Sequence, residues 1–271
     1  MSELTISPLG VTPFNYFSEE VGKAYFSNSQ IGNWLKCPAR ALAMLNGEWK
    51  FQVTEEMTAG SYADVALTNP AGLDKFVAAH PEMIASRGPT TGQLKSKFKN
   101  VLACVEKVKA TPRAIETLQG PGVDQQVILT GVIHGKPFRG MLDAIDVDKG
   151  IITDLKCMGN FDDKWDGHAK VPWYQFWGYW RQGAIYRELA SQTYGKEFQF
   201  NLLAVTKQTP PDMQYIKLQG DGAYRIEMAR IKTMLDEIEM VAKGEMEAAQ
   251  CLSCDYCRYS KGFDVRVGEY A

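Results

Sequence analysis

Asp143, Asp154 and Lys156 lie in "GMLDAIDVDKGIITDLKCMGN", residues 140–160, a stretch patterned as two short β-runs joined at Asp148-Lys149-Gly150. Residues two apart on an extended strand share a face, so Asp154 and Lys156 project together, with Ile152 on the same side. Antiparallel pairing across the turn brings Asp143, at the end of the preceding run, towards Asp154. Two carboxylates and one ammonium then meet at one place. Neighbouring carboxylates repel each other unless a cation lies between them, and oxygen donors with open positions suit Mg²⁺ or Mn²⁺. An amine beside such an ion can orient water or offset charge on a phosphate, which is the residue set for metal-assisted hydrolysis of a phosphodiester. Taken alone, Asp-Leu-Lys also reads as a surface ion pair on a solvated hairpin.

A second group is thiol chemistry. "CLSCDYC" places Cys251, Cys254 and Cys257 with two residues between successive thiols. Three thiolates so close need a fourth ligand, and the spacing is similar to the run that binds [4Fe–4S] in ferredoxins. Cys37, in "WLKCPARAL", is the candidate fourth ligand. A Cys₄ zinc site is the alternative, and an unmetallated thiol cluster a third reading. A link from Cys37 to the tail would join the two ends of the chain and close a long loop, a structural role. Cys104 falls within a helical pattern and reads as core. Cys157 points away from Lys156 and receives no role, and none of His80, His134 and His168 has a partner that suggests chemistry.

The elements that must position these groups follow from periodicity. Helical spacing predicts a helix over 27–48, capped by Ser27 or Ser29, with Ile31, Leu35, Ala39, Leu42 and Leu45 on its apolar side. Further helices are predicted over 55–68, near 72–80 and over 92–109, with a turn at 88–93. Residues 1–25 read as irregular. Three β-like runs follow, broken at "HGK" and "DKG". Then come a helix over 173–194, strands near 198–206 and 213–218, and a long helix over 222–249. Within 173–194, Trp173, Trp177, Trp180 and Ala184 share one helical side, and Gln175, Tyr179, Gln182 and Tyr186 the opposite one. Helices, meander, helix, strands and helix in that order predict an α/β (α+β) fold with a central mixed sheet.

Bulk properties bound the function. The 271 residues are 45% hydrophobic and 23% charged, ordinary for a folded soluble chain. A net charge of −2 excludes a basic DNA-coating protein, so contact with nucleic acid must come from a local patch. Lys95, Lys97 and Lys99, with Lys107, Lys109 and Arg113 beyond, could form one, though a solvated helical face explains such a run as well. Trp165 and Trp173 are candidates to stack on a frayed base. No apolar run is long enough to span a membrane, and the N-terminal residues lack the pattern of a secretory signal. A cytoplasmic location is expected, where thiols stay reduced and six cysteines read as ligands or core rather than disulfides.

On these residues the chain resembles the PD-(D/E)xK nucleases, with Asp143 as first acid, Asp154 as second and Lys156 as the lysine. "YWRQGAIYREL" is similar to the Gln-x-x-x-Tyr motif of RecB-type and RecE-type members, supplying Gln182 and Tyr186, while Gln175 and Tyr179 match the same pattern one heptad earlier. Where such members carry Gly-x-x-x-His, "GSYAD" places Asp64. Where they carry a glutamate before the first acid, Gln125 and Gln126 stand instead. Iron–sulfur nucleases of the AddB type and of CRISPR adaptation use one cysteine before the core and three after, with a wider second gap than here.

The resemblance implies a restriction-endonuclease-like core within one nuclease domain over 1–271. Its parts would be a helical segment at 27–110, the core at 124–219, and a helix with the cysteine cluster at 222–260. It implies Mg²⁺- or Mn²⁺-dependent DNA hydrolysis, with metal held by Asp143, Asp154, the Leu155 carbonyl and, as a candidate, Asp64. Lys156 would position the attacking water, and Gln182 and Tyr186 would orient the lysine and the DNA backbone. A RecE-like phage exonuclease would resect linear duplex ends for recombination in a host cytoplasm, beside a single-strand annealing protein and in a homo-oligomer. A CRISPR-adaptation-like trimming nuclease and a non-catalytic DNA-binding protein that keeps the fold are the alternatives.

Overall fold

The computed structural model describes residues 10–50 and 52–262. Seven helices precede the sheet: α1 (Glu19–Ala24), α2 (Asn28–Lys36), α3 (Pro38–Leu45), α4 (Glu55–Thr68), α5 (Leu73–Ala79), α6 (Ser96–Lys109) and α7 (Pro112–Gln119). Strands β1 (Val123–Ile133), β2 (Lys136–Asp146) and β3 (Ile151–Met158) form a meander. A short hairpin, β4 (Lys164–Trp165) and β5 (Lys170–Val171), leads to α8 (Trp173–Phe176) and α9 (Tyr179–Tyr194). Strands β6 (Gln199–Thr206) and β7 (Met213–Leu218) complete the sheet before α10 (Asp221–Ala242) and α11 (Asp255–Ser260).

The sheet order is β1-β2-β3-β6-β7, antiparallel except at β3–β6. The parallel pair needs a crossover, which α8 and α9 supply. Strand β6 is buried on both faces. Phe200 and Leu202 pack with Ile185 and Leu189 of α9 and Ile231 and Leu235 of α10. Leu203 and Val205 pack with Ala63 and Leu67 of α4, Phe98 and Val105 of α6 and Leu118 of α7. A sheet covered on both sides by helices is the expected mixed architecture.

Several expected elements differ. The helix over 27–48 is two helices. The Ser27 hydroxyl accepts from Gln30 N and caps α2, Cys37 is extended, and Pro38 restarts α3 at its first position, where its missing N–H costs nothing. Leu35 is therefore exposed rather than packed. The helix over 173–194 breaks at Gly178, whose φ of 74° is left-handed. The proposed tryptophan stripe does not form: Trp173 is buried, Trp177 is exposed, and Trp180 packs on Tyr224. Within 1–25, Ser18 caps α1. The long final helix stops at Ala242, and α7 and the β4–β5 hairpin had no period long enough to read. Among the described residues no helix is long and apolar enough to cross a membrane.

Helix α9 lies tightly on β2. A Cβ at Gly140 would sit 2.9 Å from a ring carbon of Tyr186 and 3.2 Å from Leu189 Cδ1. Gly140→Ala is expected to destabilise the fold by about 1–3 kcal/mol through overpacking, read as a lower denaturant midpoint with unchanged slope.

Candidate active site

The β2–β3 ladder has three rungs and ends at Ala144–Thr153. The next rung in that register would set Asp143 opposite Asp154. Instead β2 stays with β1, β3 stays with β6, and the strands part at the two acids. Asp143 Oδ2 accepts the Leu155 N–H at 2.7 Å, closing the fork from one side.

Asp154 is 2% exposed. Its Oδ2 lies 2.6 Å from Lys156 Nζ, and its Oδ1 accepts from Gln182 Nε2 at 2.7 Å. The Lys156 ammonium stands 5.2 Å from the centre of the Tyr179 ring. Burial works against its charge, but the neighbouring Asp154 carboxylate holds its pKa above the usual lysine range. Burial raises the Asp154 carboxyl, and Lys156 opposes that shift. Asp143 is raised well above its usual value by burial and then by the Asp154 and Asp64 charges.

Asp64 reaches this group from α4, in the opposite layer to α9. Thr68 Oγ1 and Gln126 Nε2 donate to its carboxylate at 3.1–3.2 Å. Gln126 adopts φ 51°, a left-handed conformation rare for its type, while its side chain makes these bonds. Burial, foremost, raises Asp64 to about 6, with repulsion from Asp154 adding to it. Three acids share one ammonium. When ionised they carry two uncompensated negative charges on hard oxygen donors, a set that fits a divalent cation.

Helix α9 brings Tyr179 from one of the two Gln/Tyr matches to the fork together with Gln182 from the other, and Tyr186 stands behind Gln182, bonded to it. Gln182 meets Asp154 and Tyr179 meets Lys156. Gln175 is exposed on α8, and Tyr186 is buried edge-on to Phe200. The expectation that Gln182 orients the lysine is thus corrected, since its amide holds the acid. The Tyr186 ring is covered, and its side chain bonds to Gln182, which places it behind the glutamine that holds Asp154. Gln182→Ala removes the Asp154 partner and is expected to cost about 1–3 kcal/mol of stability in the metal-free protein, measured by denaturant titration in EDTA.

The lysine patch is engaged. Lys95 and Lys97 pair with Glu55 at 2.9 and 3.2 Å, Lys97 also with Glu56 at 2.5 Å, and Lys99 donates to Gln93. These bonds tie α6 to the first turn of α4, so a phosphate would have to displace carboxylates. Trp165 is exposed on β4, whereas Trp173 is buried.

The four cysteines converge. The thiols of Cys37, Cys251, Cys254 and Cys257 all lie within 4.8 Å of one another. The Cys37–Cys257 and Cys251–Cys257 sulfur separations are 3.5 and 3.9 Å. Cys254 N donates to Cys251 Sγ, a bond that favours the Cys251 thiolate, and Cys257 N donates to Cys254 Sγ. Tetrahedral ligation by bonds of about 2.3 Å puts sulfurs about 3.8 Å apart, so the set fits a bound metal. Arg139 had no sequence signal beyond its place in "FRGMLD"; the structure buries it.

A mixed sheet that opens between its second and third strands at an Asp, an Asp-Leu-Lys run and a glutamine from the crossover helix defines the PD-(D/E)xK nuclease class. The chain belongs to the family described as PDDEXK-like domain of unknown function (DUF3799), whose model matches residues 27–260. The crystal structure of a candidate exonuclease from Eubacterium rectale is similar over 95% of this chain and 96% of its own. The TM-score is 0.86 and the identity 28%. The crystal structure of SSO0001 covers 73% of this chain and 82% of its own at 17% identity, and its TM-score of 0.32 carries no weight. No curated protein matches the chain significantly.

Proposed function

We propose that the chain is a Mg²⁺- or Mn²⁺-dependent DNA exonuclease that resects linear duplex ends for recombination, acting as one nuclease domain. The observation that carries this reading is the fork, where Lys156 Nζ lies 2.6 Å from Asp154 and Asp143 bonds to the neighbouring Leu155 N–H. Likeness to a protein described as a candidate exonuclease supports the choice of reaction.

Asp143, Asp154, the Leu155 carbonyl and Asp64 would hold the ion. When bound, it supplies Lewis acidity to a phosphate and makes water a better nucleophile. Lys156 orients the attacking water and offsets charge on the scissile phosphate. Gln182 fixes Asp154, and Tyr179 confines the lysine beside it. Tyr186 supports Gln182 from behind, and Trp165 remains free to meet a frayed base. We place the protein in a phage-infected host cytoplasm, with an annealing protein as partner and a homo-oligomer as working form.

End-labelled linear DNA should be degraded with Mg²⁺ or Mn²⁺, and closed circular DNA should survive. Degradation of both alike, or of neither, would sink the exonuclease reading. The four thiols hold a metal centre. The Cys-x-x-Cys-x-x-Cys run favours [4Fe–4S], while the 3.5 and 3.9 Å sulfur separations favour a single zinc ion. A brown protein absorbing near ~400 nm selects the first, and a colourless one with one equivalent of zinc selects the second.

A further inference from the structure

A cavity between α1, α2, α3 and β2 has no residue of the fork in its wall. It holds about 360 Å³, within the size range of small-molecule pockets. At its β2 wall is Arg139, 6% exposed. Its Nε and Nη1 are buried with no hydrogen-bond partner, the guanidinium bonds only to Tyr16, and no carboxylate pairs with it among the described residues. The Tyr16 ring covers the guanidinium at 4.9 Å. Burial lowers the Arg139 pKa, opposed only by Tyr16, as expected for a cation without a counter-ion.

An arginine stays charged at any ordinary pH, and a buried unpaired charge is among the costliest features a fold can retain. The charge near the cavity mouth does not answer it, because Glu19 is already paired with Lys23 at 2.6 Å. The rest of the wall is neutral and of two kinds. Ser29 and Asn33 offer a hydroxyl and an amide, Ser27 and Gln30 are bonded to each other and Gln30 to Gly22 O, and Phe26, Trp34 and Met44 offer flat or apolar surface. One fixed cation, a few neutral hydrogen-bonding groups and an aromatic wall suit an anion with a planar body.

We infer that this cleft binds a free nucleoside monophosphate, its phosphate on Arg139 and its base against the Phe26 and Trp34 side. The choice of nucleotide rests on the nuclease reading, since such a monoester is what complete hydrolysis of DNA releases. The guanidinium fork matches phosphate oxygens in a way no ammonium does.

The test uses the full chain in EDTA, so that binding is read without turnover. Calorimetric titration with dAMP should show one site, with deoxyadenosine and inorganic phosphate each binding more weakly. Arg139→Met should weaken dAMP binding at least about tenfold. Because it removes an uncompensated charge, it should leave the ligand-free melting temperature unchanged or higher. A purely structural arginine would lower it. Gly22→Leu, on α1 where a Cβ would stand 3.9 Å from Arg139 Nη2, should block the cleft and also lose dAMP while keeping Arg139.

Binding of phosphate as tight as dAMP would reduce the site to an anion hole and overturn the nucleotide assignment. So would binding of a 5′-phosphorylated duplex without binding of dAMP. Unaltered dAMP affinity in Arg139→Met and Gly22→Leu overturns the site itself. Digestion of linear DNA is scored separately, so failure of the nuclease reading and failure of this site give different results.

Discussion

Lys156→Ala is expected to reduce degradation of linear duplex DNA by about 100-fold or more, the scale seen when one preorganised electrostatic group is removed from a transition state. Lys156 is one of two positive features at the fork, the other being the ion the acids would hold, and its ammonium is fixed by Asp154 and Tyr179. Lys156→Arg should recover little, because a planar fork on a longer stem cannot occupy the space of a compact ammonium between those two groups. The same change has a structural signature. Breaking a buried pair leaves Asp154, 2% exposed, without its cation. The metal-free protein should lose up to about 3–5 kcal/mol, and Mg²⁺ should restore more stability to the variant than to the unaltered chain. A variant that digests DNA within about tenfold of the unaltered rate would show that the lysine is only an ion-pair partner.

Stripping the four-thiol centre should be as damaging to stability as losing Lys156 is to rate. Cys37 and Cys257 are separated by 220 residues in the chain and 3.5 Å in space. The contacts around the thiols in the described part of the tail are few. The local core is Cys37, Ala39 and Cys257, helped by the Ala39 N–H donating to Ala249 O, an Arg40–Asp255 pair at 3.6 Å, and Trp49 against Tyr256 and Tyr259. A core that small cannot order two chain segments without a cross-link. Cys37→Ser is expected to cost about 5 kcal/mol or more, from closure of a long loop and from metal ligation. The readouts are a lowered melting temperature that a strong chelator reproduces in the unaltered protein, and proteolytic cleavage after Ala242. An unchanged melting temperature on complete removal of metal would mean that the thiols merely pack together.

Much of the site was legible in the chain because it is local. Asp154 and Lys156 share a strand face by the period of two, and a four-residue loop with Gly150 in the left-handed region returns β3 onto β2 in the register that opposes Asp143 to Asp154. Helix α4 runs from Glu55 to Thr68, the stretch predicted for it, and the structure adds Thr54 as its N-cap. The Cys-x-x-Cys-x-x-Cys run is likewise a local signal.

Tertiary structure decided what spacing leaves open. Two helical turns separate Gln175/Tyr179 from Gln182/Tyr186, and the break at Gly178 and the close approach to Gly140 determine which side chains reach the fork. Asp64 and Gln126 become neighbours of Asp143 and Asp154 because α4 is pressed onto the sheet by the Leu67, Phe98 and Leu203 core. Arg139 carries no signal in the sequence, and its burial comes from α1 packing over β2. Periodicities follow from the covalent geometry of a few residues. Convergence of residues tens to hundreds of positions apart depends on how every buried side chain packs at once, and no short window of the chain contains that information.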